Sequence, residues 1–423
     1  MNKISLHKSS IPIYFLPDER LNQFCIGIVI KAGCLYEDCK LNGYAHLYEH
    51  VVFRNLKKLF GDSFYTQLAK NGIELHAITY DEFIFFRVFG IKDGFQFASK
   101  IVSCLFNEII IDTAELNAEK NRIKAEIREK SERTWLSHHC RKKVWEGTNL
   151  TQTIHGYCKN IDNASVKSIN KYRNEIISSN NVFAVVTGCV SENNIKKLKS
   201  VLDNLSLSEA IEKENIAPIP NDFKKRQLEL IIRENYYTRV CISFDYTSTD
   251  VDRCIDEILY NVLFSGYDSL VYQYLSEINP LIYSFDSSDE RYANIGILNL
   301  EYETIDSNLY SSLEQVIRCL NMIKVGEFDF EANIQKALTE NTLANDNPFN
   351  KCFDIASELL LNGNNYQELN NHRQRIKNVT KEAVINRAKQ VFRTENIVLG
   401  IKGNKRKIKN NSERVFRIIQ DLD

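Results

Sequence analysis

The 423-residue chain has little of what would place it in a membrane or on a nucleic acid. No stretch approaches the roughly 18 consecutive apolar residues of a spanning helix. The opening residues, Met1-Asn2-Lys3-Ile4-Ser5-Leu6-His7-Lys8, hold no apolar run of signal-peptide length. With 54 Lys and Arg against 55 Asp and Glu, the net charge is −1, so no basic field points to DNA or RNA. Eleven cysteines never fall at Cys-x-x-Cys spacing, and their number is odd. A disulfide framework is therefore not expected. Free, reduced thiols in a cytoplasmic protein are, with a Cys34–Cys39 pair across a turn as the lesser alternative. Neither nucleic acid nor membrane is expected as a partner.

What is present suits a soluble enzyme. Hydrophobic content of 43% and charged content of 26% are ordinary for globular proteins, and the length allows two domains of about 200 residues. The chain also reads as a repeat. Residues 181–188 and 396–403 each read as a buried strand after a helical stretch, and their closing glycines, Gly188 and Gly403, are 215 residues apart. Between the halves, residues 212–225 carry Pro218 and Pro220 with few bulky apolar residues and read as a linker. The expected class is α+β, with domains over 1–211 and 226–423, the second opening on an apolar strand, Leu228 to Ile232.

Chemistry concentrates in Gly43-Tyr44-Ala45-His46-Leu47-Tyr48-Glu49-His50, a His-x-x-Glu-His motif. On a helix His46 and His50 lie one turn apart, so both imidazoles can reach one zinc ion. Glu49 falls on nearly the same face, placed to take a proton from water beside the metal. The order reverses the His-Glu-x-x-His arrangement and is the inverzincin pattern. Two imidazoles need a third protein ligand. Downstream, Leu116, Ile123 and Ile127 recur at helical spacing, and Glu119 and Glu126 are two turns apart on one face. Spacing alone does not choose Glu126 over its acidic neighbours, Glu115, Glu119 and Glu129.

The first half resembles the pitrilysin/insulinase family of zinc metallopeptidases, and in particular its short two-domain processing-peptidase-like members. The resemblance is carried by residues 11–18 and 26–33, similar to the family's first two strands, and by residues 41–53, similar to its metal helix. It implies that Glu126, 76 residues after His50, is the third ligand, with Glu119 behind a ligand, His50, as an orienting group. It implies Zn2+ as cofactor, Glu49 as general base, and two similar domains, each a sheet covered by helices, forming half of a clamshell chamber. Substrate backbone would pair with a strand edge near Ala77 to Thr79. His76 stands where the family usually has Asn; it is read as a substrate-side or edge-strand residue, with a fourth metal contact as the alternative.

Active relatives also carry a Leu-Arg segment with a Tyr seven residues after the Arg. Here Tyr283 matches that Tyr, and its plain alternative is a strand residue packing its ring. Ser276, however, stands in the Arg position, and a hydroxyl cannot replace a guanidinium fork. The largest relatives close their chamber with four such domains, so this chain is expected to need a second one. A heterodimer with a homologous chain that supplies the Arg is favoured over a homodimer. The expected function is a zinc endopeptidase that cleaves peptides or leader sequences, such as precursors of ribosomally made peptides. The alternative is a catalytically inactive structural or peptide-binding subunit.

Overall fold

The computed structural model describes all residues except 1–2, 133–135, 206, 208–228, 233–236, 248, 250–251, 293–294, 345, 362–364, 405, 407 and 409–411. The expected linker, 212–225, and Leu228 lie outside the described residues. The rest forms two compact units of mixed helices and sheet.

The first unit is built on β1 (Ser5–His7), β2 (Ile13–Pro17), β3 (Gln23–Ile30), β4 (Ile73–Thr79), β5 (Ile84–Ile91) and β6 (Val182–Gly188), in the order β1-β2-β6-β3-β5-β4. The second contains β7 (Glu229–Ile232), β8 (Tyr237–Thr247), β9 (Phe285–Arg291), β10 (Ile295–Ile305) and β11 (Ile397–Gly403), in the order β7-β11-β8-β10-β9. Leaving β1 aside, the two orders correspond strand for strand. In both, a parallel pair (β2 with β6, β7 with β11) is followed by antiparallel pairs out to the far edge. The repeat read in the sequence is thus a repeated sheet topology, and the two closing strands occupy equivalent places.

Both faces of the first sheet are covered, which explains why its strands are apolar at successive positions rather than alternately. Ile26, Ile28 and Ile30 of β3 face one way, into a core shared with α1 (Tyr44–Phe60), α2 (Phe64–Lys70), α3 (Phe95–Cys104) and α4 (Thr113–Glu132). Cys25 and Val29, on the opposite face, pack with Cys352, Ile355, Ala356 and Leu359 of the helix Pro348–Leu361. That helix lies in the second half of the sequence. The converse holds in the second unit, where α5 (Leu136–Val144) buries Leu136, Cys140 and Val144 and packs on β8 and β11.

The units therefore differ from the halves 1–211 and 226–423. Thr134–Thr151 belongs with the second unit and Leu343–Asn370 with the first, because their apolar faces cover those sheets. Close approach is arranged alike at both places. A Cβ on Gly27 of β3 would lie 2.6 Å from Cys352 Sγ, and one on Gly400 of β11 would lie 2.8 Å from Cys140 Sγ. All eleven cysteines are free thiols; Cys34 Sγ donates to Asp81 Oδ1 at 3.0 Å and does not bond Cys39. No helix among the described residues is long and apolar enough to cross a membrane.

One titrating contact in the second unit gives a measurable pH dependence. His372 Nε2 lies 3.2 Å from Glu257 Oε2, and Nδ1 lies 3.7 Å from Cys254 Sγ. Burial disfavours the charged ring, but these two neighbours outweigh it and raise its pKa from 6.5 to about 10. A raised pKa means stability that is complete below about pH 6.5 and is lost as pH rises through about 10. Urea unfolding of the parent and His372→Gln proteins should show a stability gap at pH 6 that closes by pH 10.5. A gap independent of pH would mean that the ring stays neutral.

Candidate metal centre

Helix α1 starts at Gly43, which holds a left-handed conformation (φ 102°) and has no side chain with which to cap the helix. A carboxylate from outside supplies the cap. Glu37, 2% exposed, accepts the backbone N–H of Ala45 at 2.6 Å and of Gly43 at 2.8 Å. The Tyr172 hydroxyl (3.2 Å) and the Asn42 side-chain amide (3.3 Å) complete its shell. Burial pushes the Glu37 pKa up, and these four hydrogen bonds oppose the rise. A negative group at this end also complements the helix dipole. Tyr44, Leu47, Tyr48, Val51 and Leu56 then bury one face of α1, which fixes how the motif is presented.

The motif residues come together with α4. His46 Nε2 lies 3.6 Å from Glu126 Oε2, and His50 Nε2 lies 3.8 Å from Glu126 Oε1. One donor atom from each of the three falls within 4.8 Å of the others. The two spacings to Glu126 are too long for good hydrogen bonds. They are close to the roughly 3.4 Å separating two ligands that each sit about 2.1 Å from one tetrahedral ion. Two imidazole nitrogens with one carboxylate oxygen is also a donor set that suits zinc, so the residues present fit the metal that the sequence suggests.

Glu119 lies behind His50. It is 1% exposed by side chain and accepts from His50 Nδ1 at 3.3 Å, from Arg122 Nη1 at 3.2 Å and from Arg54 Nε. Burial works to raise its pKa, but His50, Arg54 and Arg122 outweigh burial and hold the carboxyl below the ordinary glutamate range. A proton fixed on Nδ1 by Glu119 leaves the Nε2 lone pair of His50 facing Glu126. Glu115, another acidic candidate, pairs instead with Lys58 at 2.9 Å.

Glu49 is not one of the three clustered donors. Its Oε2 accepts the hydroxyl of Thr79 at 2.5 Å. Burial pushes its pKa above the ordinary value, with Glu126 adding to the rise and Thr79 and His50 opposing it. The Thr79 side chain thus engages the carboxylate read as the general base, a contact that sequence reasoning did not foresee. Strand β4, which carries His76, Ala77 and Thr79, pairs only with β5 among the described strands and leaves its other edge open. His76 is outside the three-donor cluster. Its Nε2 lies 3.4 Å from Glu74, and its ring meets Phe89 and Phe349. Tyr283 belongs to the second unit; it is 98% exposed and lies outside the strands, so it is not a ring packed in a sheet. Ser276 sits in the short π-helix Gln273–Glu277 and donates to the Ile282 carbonyl at 3.4 Å.

Two further residues join the site. One is Glu37, whose only sequence signal is an acidic residue shortly before a helix that begins on glycine. The other is His155, whose ring packs in a T-shaped contact with that of His46, centroids 4.6 Å apart.

Two family descriptions match the chain: Insulinase (Peptidase family M16) over residues 17–156, and Peptidase M16 inactive domain over residues 163–337. The chain belongs to the M16 family. Among its M16 relatives, the mitochondrial-processing peptidase subunit beta of Dictyostelium discoideum is 25% identical over 48% of this chain and 45% of that protein. The uncharacterized zinc protease YmxG of Bacillus subtilis is 23% identical over 69% of this chain and 71% of that protein. The chain thus spans about half the length of the first. A solved protease from Helicobacter pylori shares the fold with a TM-score of 0.83, at 15% identity, over 95% of this chain and all of that one. The α+β, two-unit architecture described above is the M16 fold.

Two outcomes test the centre. Glu126→Gln should lower zinc affinity more than 100-fold, whereas Glu119→Gln should lower it by about 10–100-fold, as loss of an orienting partner does; metal analysis after dialysis against a graded chelator separates them. Equal retention would exclude Glu126 as the third ligand. Glu37→Gln turns an amide N–H toward donors that need an acceptor, so it should destabilise the protein by roughly 2–3 kcal/mol. It should also weaken zinc retention, although Glu37 touches none of the three donors. Unchanged unfolding and metal content would remove the cap from the account.

Proposed function

We propose that this chain is the catalytic subunit of a zinc-dependent endopeptidase that hydrolyses peptides or leader sequences. The observation that carries this reading is Glu49. A largely buried carboxylate, in contact with Thr79, stands beside a three-donor cluster to which it does not belong. His46, His50 and Glu126 are the residues that would hold the metal. Zinc, when bound, supplies a Lewis acid that polarises the scissile carbonyl and makes nearby water more acidic. Glu49 accepts the proton of the attacking water and passes it to the departing amine. Its buried setting favours the first of these transfers, since a carboxylate with a raised pKa is a stronger base toward the attacking water. An extended peptide added to the open edge of β4 would run past Thr79, whose hydroxyl touches Glu49, and so past the base.

The active form is a heterodimer with a homologous chain. Ser276 offers no guanidinium fork, and a partner bearing an Arg there would supply it and close the chamber. The substrate is an unfolded peptide, such as the precursor of a ribosomally made product. The naming of the Dictyostelium relative as a subunit supports the partnered reading.

Glu49→Gln should retain zinc and fold while lowering peptide turnover by a factor of about 10²–10⁴. Chelation of the parent protein should abolish turnover, and zinc should restore it. If the zinc-loaded chain, alone and with a homologous partner, bound peptides without cleaving any, it would be a binding or structural subunit instead.

A further inference from the structure

A cavity of about 300 Å³ opens beside Glu49 and His50. Phe53 and Tyr65 form its apolar wall, and Arg54, Lys57 and Arg122 bring three cationic groups to it. Against these stand two carboxylates, Glu49, which accepts the Thr79 hydroxyl, and Glu119, which is already engaged by His50, Arg54 and Arg122. Arg54 contacts Glu119 through Nε, and its two terminal amino groups meet no partner among the described residues. Among the described residues Lys57 has only a 3.7 Å contact with the fully exposed Asp62, the kind of surface pair that contributes little. Three cationic groups thus face two carboxylates that already have hydrogen-bond partners, which leaves a surplus of positive charge, guanidinium donors to spare and an aromatic wall. A second groove, about 600 Å³, continues from it along β4 and shares Phe53 and Tyr65.

We infer that this cavity is a specificity subsite that takes an acidic side chain, Asp or Glu, of the peptide at a position next to the scissile bond. This inference rests on the peptidase reading above and narrows its substrate class. The carboxylate would meet the free amino groups of Arg54 and the ammonium of Lys57, a pairing that Arg donors make directionally. Its stem would lie on Phe53. A carboxylate could also come from a peptide C-terminus, which would make the cavity an exopeptidase feature; peptides with amidated C-termini separate the two sources.

The test uses the full chain, with its partner if activity requires one, and amidated peptides in which one position is varied in turn among Asp, Glu, Asn, Gln and Leu. Cleavage by the parent protein should favour Asp or Glu at one position beside the cut by about tenfold over the matching amides. The preference should shrink between 0.1 M and 1 M salt as screening strengthens. The same pairs, bound to Glu49→Gln, should show the same order of affinity by fluorescence anisotropy. Lys57→Glu should keep its zinc and lose the acidic preference in both assays. Cleavage with no acidic preference at any position would overturn the subsite and leave the peptidase reading intact. Acid-selective binding without cleavage by the parent would do the reverse. A preference seen only with free C-termini would assign the cavity to the terminal carboxylate and overturn the side-chain assignment.

Discussion

Two buried carboxylates hold α1, and the geometry of the candidate centre depends on both. Glu37 closes the amino end of α1 through two backbone N–H groups, and Glu119 grips its side through His50 and Arg54. Neither is a donor in the cluster. A helix beginning on glycine presents unsatisfied amides that must find an acceptor once water is excluded. Glu37 meets that need from outside the helix. Because the bonds are charge-assisted, they fix the axial position of α1, and with it the height of His46 and His50 relative to Glu126 on α4.

Much of this centre could be read in the sequence because it is helical. Two residues four apart must share a face whatever the tertiary fold, so the pairing of His46 with His50 follows from helix geometry alone. Glu126 was different. Periodicity placed it on a face with Glu119, and only family resemblance chose it as ligand. The structure distinguishes the two by their neighbours: Glu126 faces both imidazoles, while Glu119 is buried among a His and two Arg. The contact between Thr79 and Glu49 joins residues 30 positions apart on a strand and a helix. No local rule reports such a meeting, because it depends on how α1 crosses the sheet.

The fold divided in the same way. The two buried closing strands were legible from apolar runs followed by glycine, and they do take equivalent places in two sheets of matching order. The ownership of α5 and of the helix Pro348–Leu361 was not legible. Their apolar faces announce that they pack on something, yet an amphipathic pattern carries no address. What could have hinted at it is the glycine in the strand that each helix covers, Gly27 in one sheet and Gly400 in the other, where a side chain would collide with a helix cysteine.

That exchange of helices has a consequence for synthesis. The first sheet is complete when β6 has been made, but one of its faces stays uncovered until residues beyond 343 have emerged from the ribosome. Translation runs at about 5–20 residues per second, and 343 − 188 = 155 residues separate the end of β6 from the start of this segment. An apolar sheet face therefore waits several seconds or more for its cover. Expressing the N-terminal half as a separate fragment would make that wait permanent, so the two halves of this chain are joined by folding order as well as by a peptide bond.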